Sequence, residues 1–281
     1  MSTNGRVWCA ILLAAVVILV FLGAAYLRDD SLSRLRGSGV IRIGYAIEPP
    51  YAFIDARGRV TGESPEVAKR IVDSLGIGRI QWRQMEFGSL IPELEAGRID
   101  VIAAGLFFTP ERARRVRFST PTFRVHPDLL VYKGNPRGLH SFRQIAEDPS
   151  VRLAVLSGSV EESLSQRLGV DPERLVRVPD ALTGRVAVES GFADALMLSA
   201  PTLRWMTNAH RLGLTQLCIP AEDATLALGD TYGVGAFAFR LEDRALVSAW
   251  NAAQRFFIGS EAHRRLLLGF GFQNTEVHSR R

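Results

Sequence analysis

Apolar positions along this chain switch between two periods, and the two alternate. Residues 40–45, Val-Ile-Arg-Ile-Gly-Tyr, place apolar side chains at every second position, which predicts a strand. Residues 65–75 instead gather Val67, Ala68, Ile71, Val72 and Leu75 on one helical face, with Ser64 as cap and Gly76 closing the last turn. Strands follow at 80–85 and 99–104, and the helix between them, over 90–96, ends at Gly97. Thr109 and Pro110 read as the N-cap and first residue of a new helix, which Phe118-Ser-Thr-Pro121 stops. After a strand at 129–132 the pattern begins again. It runs helix 141–146, strand 152–156, helix 160–168, strand 175–178, helix 183–190, strand 194–198 and helix 201–208. A strand over 232–239 and helices at 244–257 and 261–268 finish the chain. Alternation of this kind predicts open α/β sheets flanked by helices.

An internal echo points to two units on one plan. Leu94-Glu-Ala-Gly-Arg-Ile-Asp100 and Val188-Glu-Ser-Gly-Phe-Ala-Asp194 share a helix end, a glycine, two residues and an aspartate that leads into an apolar strand. A helix–glycine–strand junction is also common enough to arise by chance. Tyr132 and Tyr232 lie near the two ends of the second unit, where a pair of strands would cross as a hinge.

The N-terminus changes the picture. Residues 7–27 carry no charge and are long enough to span a bilayer. Gly23, Ala24 and Ala25 near the end of the run also suit a secretory signal cleaved after Ala25. With either outcome, the chain from Arg28 onward is expected outside the cytoplasm, and residues 28–38 read as a short charged tether. Cys9 stands at the start of the run rather than its end, which argues against lipid attachment there. Cys218 is then a lone thiol in an oxidising compartment, expected to be buried and inert.

With 281 residues, 47% of them hydrophobic, the chain can fill two ordinary domains. The net charge of +5 arises from 34 basic and 29 acidic residues that are interspersed. No aromatic–basic stripe accompanies it, so the charge reads as a solvated surface and no nucleic-acid partner is expected.

Ligands of α/β proteins bind at the carboxyl ends of strands, close to helix N-termini. Four loops of this type fall at 48–51, 87–89, 105–112 and 157–159, and they hold Glu48, Tyr51, Phe87, Phe107 and Arg112. The planar fork of Arg112, in a first helical turn, suits a carboxylate. The aromatic rings would pack round a delocalised cation, with Glu48 pairing with its N–H groups. The plainer reading makes Phe107 and Phe108 core and pairs Arg112 with a neighbouring Glu. No nucleophile and base can be matched with an orienting third residue, and the five histidines lack metal spacing. The inventory suits binding rather than catalysis, with neither metal nor cofactor expected.

These residues also carry a family resemblance. Met85-Glu-Phe-Gly-Ser-Leu-Ile-Pro92, Ala96-Gly-Arg-Ile-Asp100, Ala103-Ala-Gly105 and Thr109-Pro-Glu-Arg112 together resemble extracytoplasmic solute-binding proteins of polar amino-acid ABC importers. Gly44-Tyr-Ala46 with Glu48, Pro50 and Tyr51, then Gly58-Arg-Val-Thr-Gly-Glu-Ser-Pro-Glu66, are similar to the ectoine/hydroxyectoine-binding branch. So are Leu130-Val-Tyr-Lys-Gly-Asn-Pro136 and Gly235-Ala-Phe-Ala-Phe-Arg240. The resemblance implies a type II periplasmic-binding-protein fold whose two α/β lobes close like a jaw. Lobe 1 would span 39–131, lobe 2 would span 132–231, the chain would return to lobe 1 over 232–272, and 273–281 would be a tail. It further implies that Arg112 binds a carboxylate, that Tyr51, Phe87 and Phe107 form an aromatic box, and that Glu48 meets an amidinium. Ser159 would close on the carboxylate from the second lobe, and Asp194 matches an acidic position that meets an α-amino group. The implied partners are a small zwitterion and ABC permease subunits, with the membrane added if residues 7–27 are retained, and the protein is expected to be a monomer. Two other functions fit the same fold: a secreted cyclohexadienyl dehydratase, with Glu48 or Asp194 assisting loss of water, and a membrane-anchored ligand sensor. Second-lobe motifs are fewer, and no asparagine lies between Ala181 and Asp194 to supply a side-chain amide there.

Overall fold

In a computed structural model the described residues are 29–209, 213–218 and 232–278, with the side chains of 208 and 209 left aside. The apolar segment 7–27 and its cleavage site lie outside them. Helix α1 (Ser31–Ser38) replaces the expected irregular tether, because Leu35 is buried in the first lobe and Ser31 Oγ accepts from the Leu246 N–H. Strand β1 (Val40–Tyr45) buries Ile41 and Ile43 completely. A hairpin of β2 (Phe53–Ile54) and β3 (Val60–Thr61) then leads to helix α2 (Glu63–Ser74). Gly62, not Ser64, is the N-cap of this helix, since the Ser64 hydroxyl donates to the Glu63 carboxylate and accepts from the Gly105 N–H. Strand β4 (Arg79–Gln84), helix α3 (Leu90–Glu95), strand β5 (Val101–Ile102), the one-turn helix α4 (Pro110–Ala113) and strand β6 (Val116–Phe118) follow.

The chain leaves this lobe through β7 (Phe123–Arg124) and enters the second with β8 (Pro127–Tyr132). Helix α5 (Phe142–Glu147), strand β9 (Leu153–Leu156), helix α6 (Val160–Arg167), strand β10 (Leu175–Val178) and helix α7 (Ala181–Glu189) come next. Strand β11 (Ala195–Ser199), helix α8 (Ala200–Ala209) and strand β12 (Thr215–Cys218) complete the second lobe. The chain returns through β13 (Val234–Gly235) to β14 (Ala238–Arg240) and ends in helices α9 (Arg244–Gln254) and α10 (Glu261–Gly269).

The molecule has the two-sheet α/β architecture of type II periplasmic binding proteins. One sheet has the order β4-β1-β5-β14-β6 and the other β10-β9-β11-β8-β12. In each, three parallel strands meet an antiparallel strand laid down elsewhere in the chain, β14 in the first and β8 in the second. Such strand order puts the carboxyl ends of the parallel strands of both sheets at the cleft. Apolar clusters run from lobe to lobe: Phe87, Leu90 and Ile102 belong to the same cluster as Leu156, Leu196 and Leu198.

Three boundaries differ from the sequence reading. β8 is already part of the second sheet, so the crossing lies before Pro127 rather than at 132. The strand expected over 232–239 is two strands, because β13 pairs with β7 in the crossing while β14 enters the first sheet. The expected tail packs onto the protein: Arg204 donates to the buried Glu276 at 2.6 Å, and Val277 bridges to Phe123. Cys218 is buried, with its Sγ on the Leu139 carbonyl and its thiol pKa pushed up by burial. Among the described residues no helix is long and apolar enough to cross a membrane.

Candidate functional site

Glu48, Tyr51, Phe87, Phe107, Arg112 and Ser159 line one narrow cavity between the lobes, with an open space of about 10 Å³. A space of that size holds about one water, so the lobes are shut tightly on each other and a solute enters only when they part. Local sequence explains each placement. Thr109 caps α4 by accepting from the Arg112 N–H at 3.1 Å, and Pro110 opens that helix, so Arg112 is held in the first turn after β5. Ser159 caps α6 in the same way, through the Glu162 N–H.

Arg112 pairs with backbone rather than with a Glu. One Nη donates to the Phe107 carbonyl of its own lobe and the other to the Gly158 carbonyl of the second lobe, both at 2.8 Å. Its Cζ lies 5.6 Å from the centre of the Phe87 ring, within cation–π range. Burial lowers the guanidinium pKa to about 10, which leaves it charged at neutral pH. The Phe107 and Gly158 carbonyls use two of the five N–H donors of the guanidinium, whose planar fork also matches a carboxylate. Phe107 also serves the core: it stands edge-on to Tyr51, Phe123 and Tyr232, with ring centres about 6 Å apart.

Two buried carboxyls face this cation. Glu48 comes from the loop after β1, and its pKa is pushed up to about 8 by burial and then by the charge of Glu161. Glu161, in the first turn of α6, is also raised by burial, against a hydrogen bond of 2.7 Å from the Tyr232 hydroxyl. A chain of hydroxyls joins the lobes beside them. The Tyr51 hydroxyl donates to Ser199 Oγ at 3.0 Å, Ser199 to Thr202 Oγ1 at 3.1 Å, and Thr202 to Glu48 Oε1 at 3.0 Å. Sequence reasoning missed Glu161, Ser199 and Thr202, and it read Tyr232 only as a hinge residue. An acid just after an N-cap looks like an ordinary helix-dipole residue until its burial is known.

Asp194 is not part of this constellation. It precedes β11 at the end of the strand away from Ser199, about 16 Å along the backbone at strand rise. Its carboxylate accepts from the Arg152 N–H at 2.8 Å and from the Arg137 side chain at 3.1 Å. Asp100 does the same in the first lobe, accepting from the Arg42 N–H and side chain. The echo in the sequence therefore marks equivalent strand-edge clamps, one in each lobe. The residue that β11 sends to the cleft is Ser199.

Two α/β lobes joined by crossing strands and closed over a charged cavity define a protein that binds a small molecule between its lobes. The chain belongs to the bacterial extracellular solute-binding proteins, family 3, which it matches over residues 41–266. It is 33% identical over 260 residues to the probable amino-acid ABC transporter periplasmic-binding protein y4tE of Sinorhizobium fredii, covering 92% of this chain and 85% of that one. The crystal structure of EhuB in complex with hydroxyectoine superposes with a TM-score of 0.79 at 32% identity, covering 88% of this chain and 94% of that one. The membrane-bound lytic murein transglycosylase F of Idiomarina loihiensis is 28% identical over 204 residues, and the match spans 71% of this chain but only 44% of that enzyme. Among the described residues no group of three or more His, Cys, Asp or Glu is placed to hold a metal ion.

Proposed function

We propose that this protein captures a compact zwitterion of the ectoine or hydroxyectoine type, or a polar amino acid, outside the cytoplasm. It then delivers that solute, as a monomer, to the permease subunits of an ABC importer. The observation that carries this reading is the charge layout of one closed cavity: a guanidinium at Arg112, the carboxyls of Glu48 and Glu161, and aromatic walls between them. In this reading Arg112 takes the ligand carboxylate, Ser159 flanks it, and Glu48 and Glu161 take the cationic end. Tyr51, Phe87 and Phe107 supply the apolar faces. Because β11 brings a hydroxyl rather than a carboxylate to the cleft, a ring amidinium is favoured over a free α-amino group. The similarity to y4tE and to EhuB supports both the importer and the ligand class. We take the protein to be a binding protein rather than an enzyme, a reading that its family and its similarity to y4tE and EhuB support.

Calorimetric titration with hydroxyectoine, ectoine, glycine betaine and arginine tests this. Saturable heat with one of the first two is expected, and silence with all four overturns the reading. Incubation with prephenate or arogenate is expected to give no aromatic product. Residues 7–27 act as export signal or as anchor, which the mass of the mature N-terminus distinguishes.

A further inference from the structure

The hydroxyl chain between the lobes has a direction. Tyr51 is 1% exposed, and Ser199 Oγ is the acceptor that its hydroxyl meets among the described residues. Each hydroxyl carries one proton. If Glu48 donated to Thr202, every proton in the chain would reverse, and the Tyr51 O–H would be left buried without an acceptor, a costly arrangement. The order that satisfies all four groups runs Tyr51 to Ser199 to Thr202 to Glu48, and it ends on a carboxylate oxygen. Tyr51 and Glu48 belong to the first lobe, whereas Ser199 and Thr202 belong to the second. The chain is complete only when the jaw is shut.

We propose that Thr202 is a positioning residue: on closure its hydroxyl fixes Glu48 Oε1 and eases ionisation of that carboxyl against burial, so that the shut cleft selects a solute with an N–H-bearing cationic head. This inference rests on the zwitterion reading and adds to it the residue that makes recognition conditional on closure. The groups facing Glu48 are Glu161 from α6, which opposes its ionisation, and Arg112 from α4, which favours it. The Tyr51 and Tyr232 hydroxyls stand beside them, both held neutral by burial. Thr202 is 0% exposed and touches Glu48 directly, so its hydrogen bond adds to the favourable side. Loss of that bond moves the carboxyl upward, and each unit costs about tenfold in ionised fraction below both values.

The test is calorimetric titration of full-length wild type, Thr202→Val and Thr202→Ser with hydroxyectoine from about pH 6 to about pH 9. Thr202→Val is expected to bind about tenfold more weakly near pH 7, with the gap closing towards pH 9 as Glu48 ionises unaided. Thr202→Ser is expected to stay within about twofold of wild type at every pH, since it keeps the donor. A gap for Thr202→Val that is absent, or the same at every pH, overturns the proposal, because a purely structural role would not follow the carboxyl. If wild type takes up none of hydroxyectoine, ectoine, glycine betaine and arginine, the zwitterion reading fails by itself. The proposal is then read from the isotope-edited infrared band of the Glu48 carboxyl, assigned by its loss in Glu48→Gln. An upward titration shift in Thr202→Val supports it, and an unmoved band overturns it.

Discussion

Gly158 is where closure is most exposed to a single atom. A Cβ added there would lie 2.9 Å from Gly88 Cα, so the backbones of the two lobes touch at this pair. Gly158 also has φ +75°, a left-handed conformation that disfavours other residues. Gly158→Ala therefore carries two costs that can be measured apart. The left-handed backbone costs about 1–2 kcal/mol with the jaw open or shut, and it appears as lost stability. Overpacking against Gly88 costs about 1–3 kcal/mol only in the closed form, and it appears as lost affinity, between about fivefold and about 150-fold. Gly191→Ala is the control, since it has φ +73° with nothing within 4 Å of its Cβ. It is expected to lose similar stability and no affinity. Urea unfolding and calorimetric titration with hydroxyectoine measure the two quantities, and small-angle scattering reports whether saturated Gly158→Ala stays more extended than wild type. Wild-type affinity in Gly158→Ala, together with lowered stability, would refute the argument, because it would mean that the bound jaw never brings these glycines into contact.

Arg112→Ala is expected to weaken binding of a carboxylate ligand by about 2–5 kcal/mol, as for breaking a buried charge pair, and an unchanged calorimetric affinity would remove Arg112 from the site. Affinity for a cationic head is expected to fall as pH drops below about 8, because the Glu48 pKa lies there in the shut, ligand-free cleft and the ligand favours its ionised form. Proton release on binding, read as different heats in two buffers, checks that sign. Asp100→Asn is expected to cost about 1.5–3 kcal/mol in urea unfolding, because it removes the charge that Arg42 and the buried Arg240 share while Arg240 keeps Asp243, and to leave affinity unchanged. Burial raises the Asp100 pKa, but hydrogen bonds from Arg42 outweigh this and hold it below 3.8. Its stabilisation is therefore present above that value and lost as pH falls through the folded one. Asp194→Asn is expected to cost less, since Arg137 and Arg152 are largely exposed, and to leave hydroxyectoine affinity unchanged; a tenfold loss by titration would return Asp194 to the site.

Local patterns in the sequence made part of this legible. Thr109 with Pro110 and Ser159 before an acidic turn are cap signals written within four residues, and both helices start there. Six of the seven candidate site residues share one cavity, because loops at strand carboxyl ends can be ordered without knowing the packing. What was lost depended on distant partners. Ser64 looks like a cap until the buried Glu63 and the Gly105 N–H compete for its hydroxyl. Residues 232–239 alternate throughout, yet the chain must both pair with β7 and enter the first sheet, so the strand divides. Glu161 and Thr202 carry no local mark of burial, and Asp194 has the right chemistry at the wrong end of its strand.

The charge layout also decides how ligand and closure are coupled. Shutting the jaw moves the Arg112 guanidinium and two carboxyls out of water, and in a low-dielectric cleft such groups are costly unless paired. The shut protein offsets part of this with carbonyls on Arg112 and with hydroxyls on Glu48 and Glu161, all of which are dipoles rather than charges. A zwitterion that brings a carboxylate to Arg112 and a cation to the two acids supplies the missing opposite charges at both ends. A ligand with only one of these groups leaves the other end unpaired, and an inorganic anion leaves both carboxyls so. Closure is then favourable chiefly with a solute that is charged at both ends and neutral overall. The apolar cluster shared by the lobes adds to closure with any ligand, so selection among solutes falls to the charged groups of the cleft.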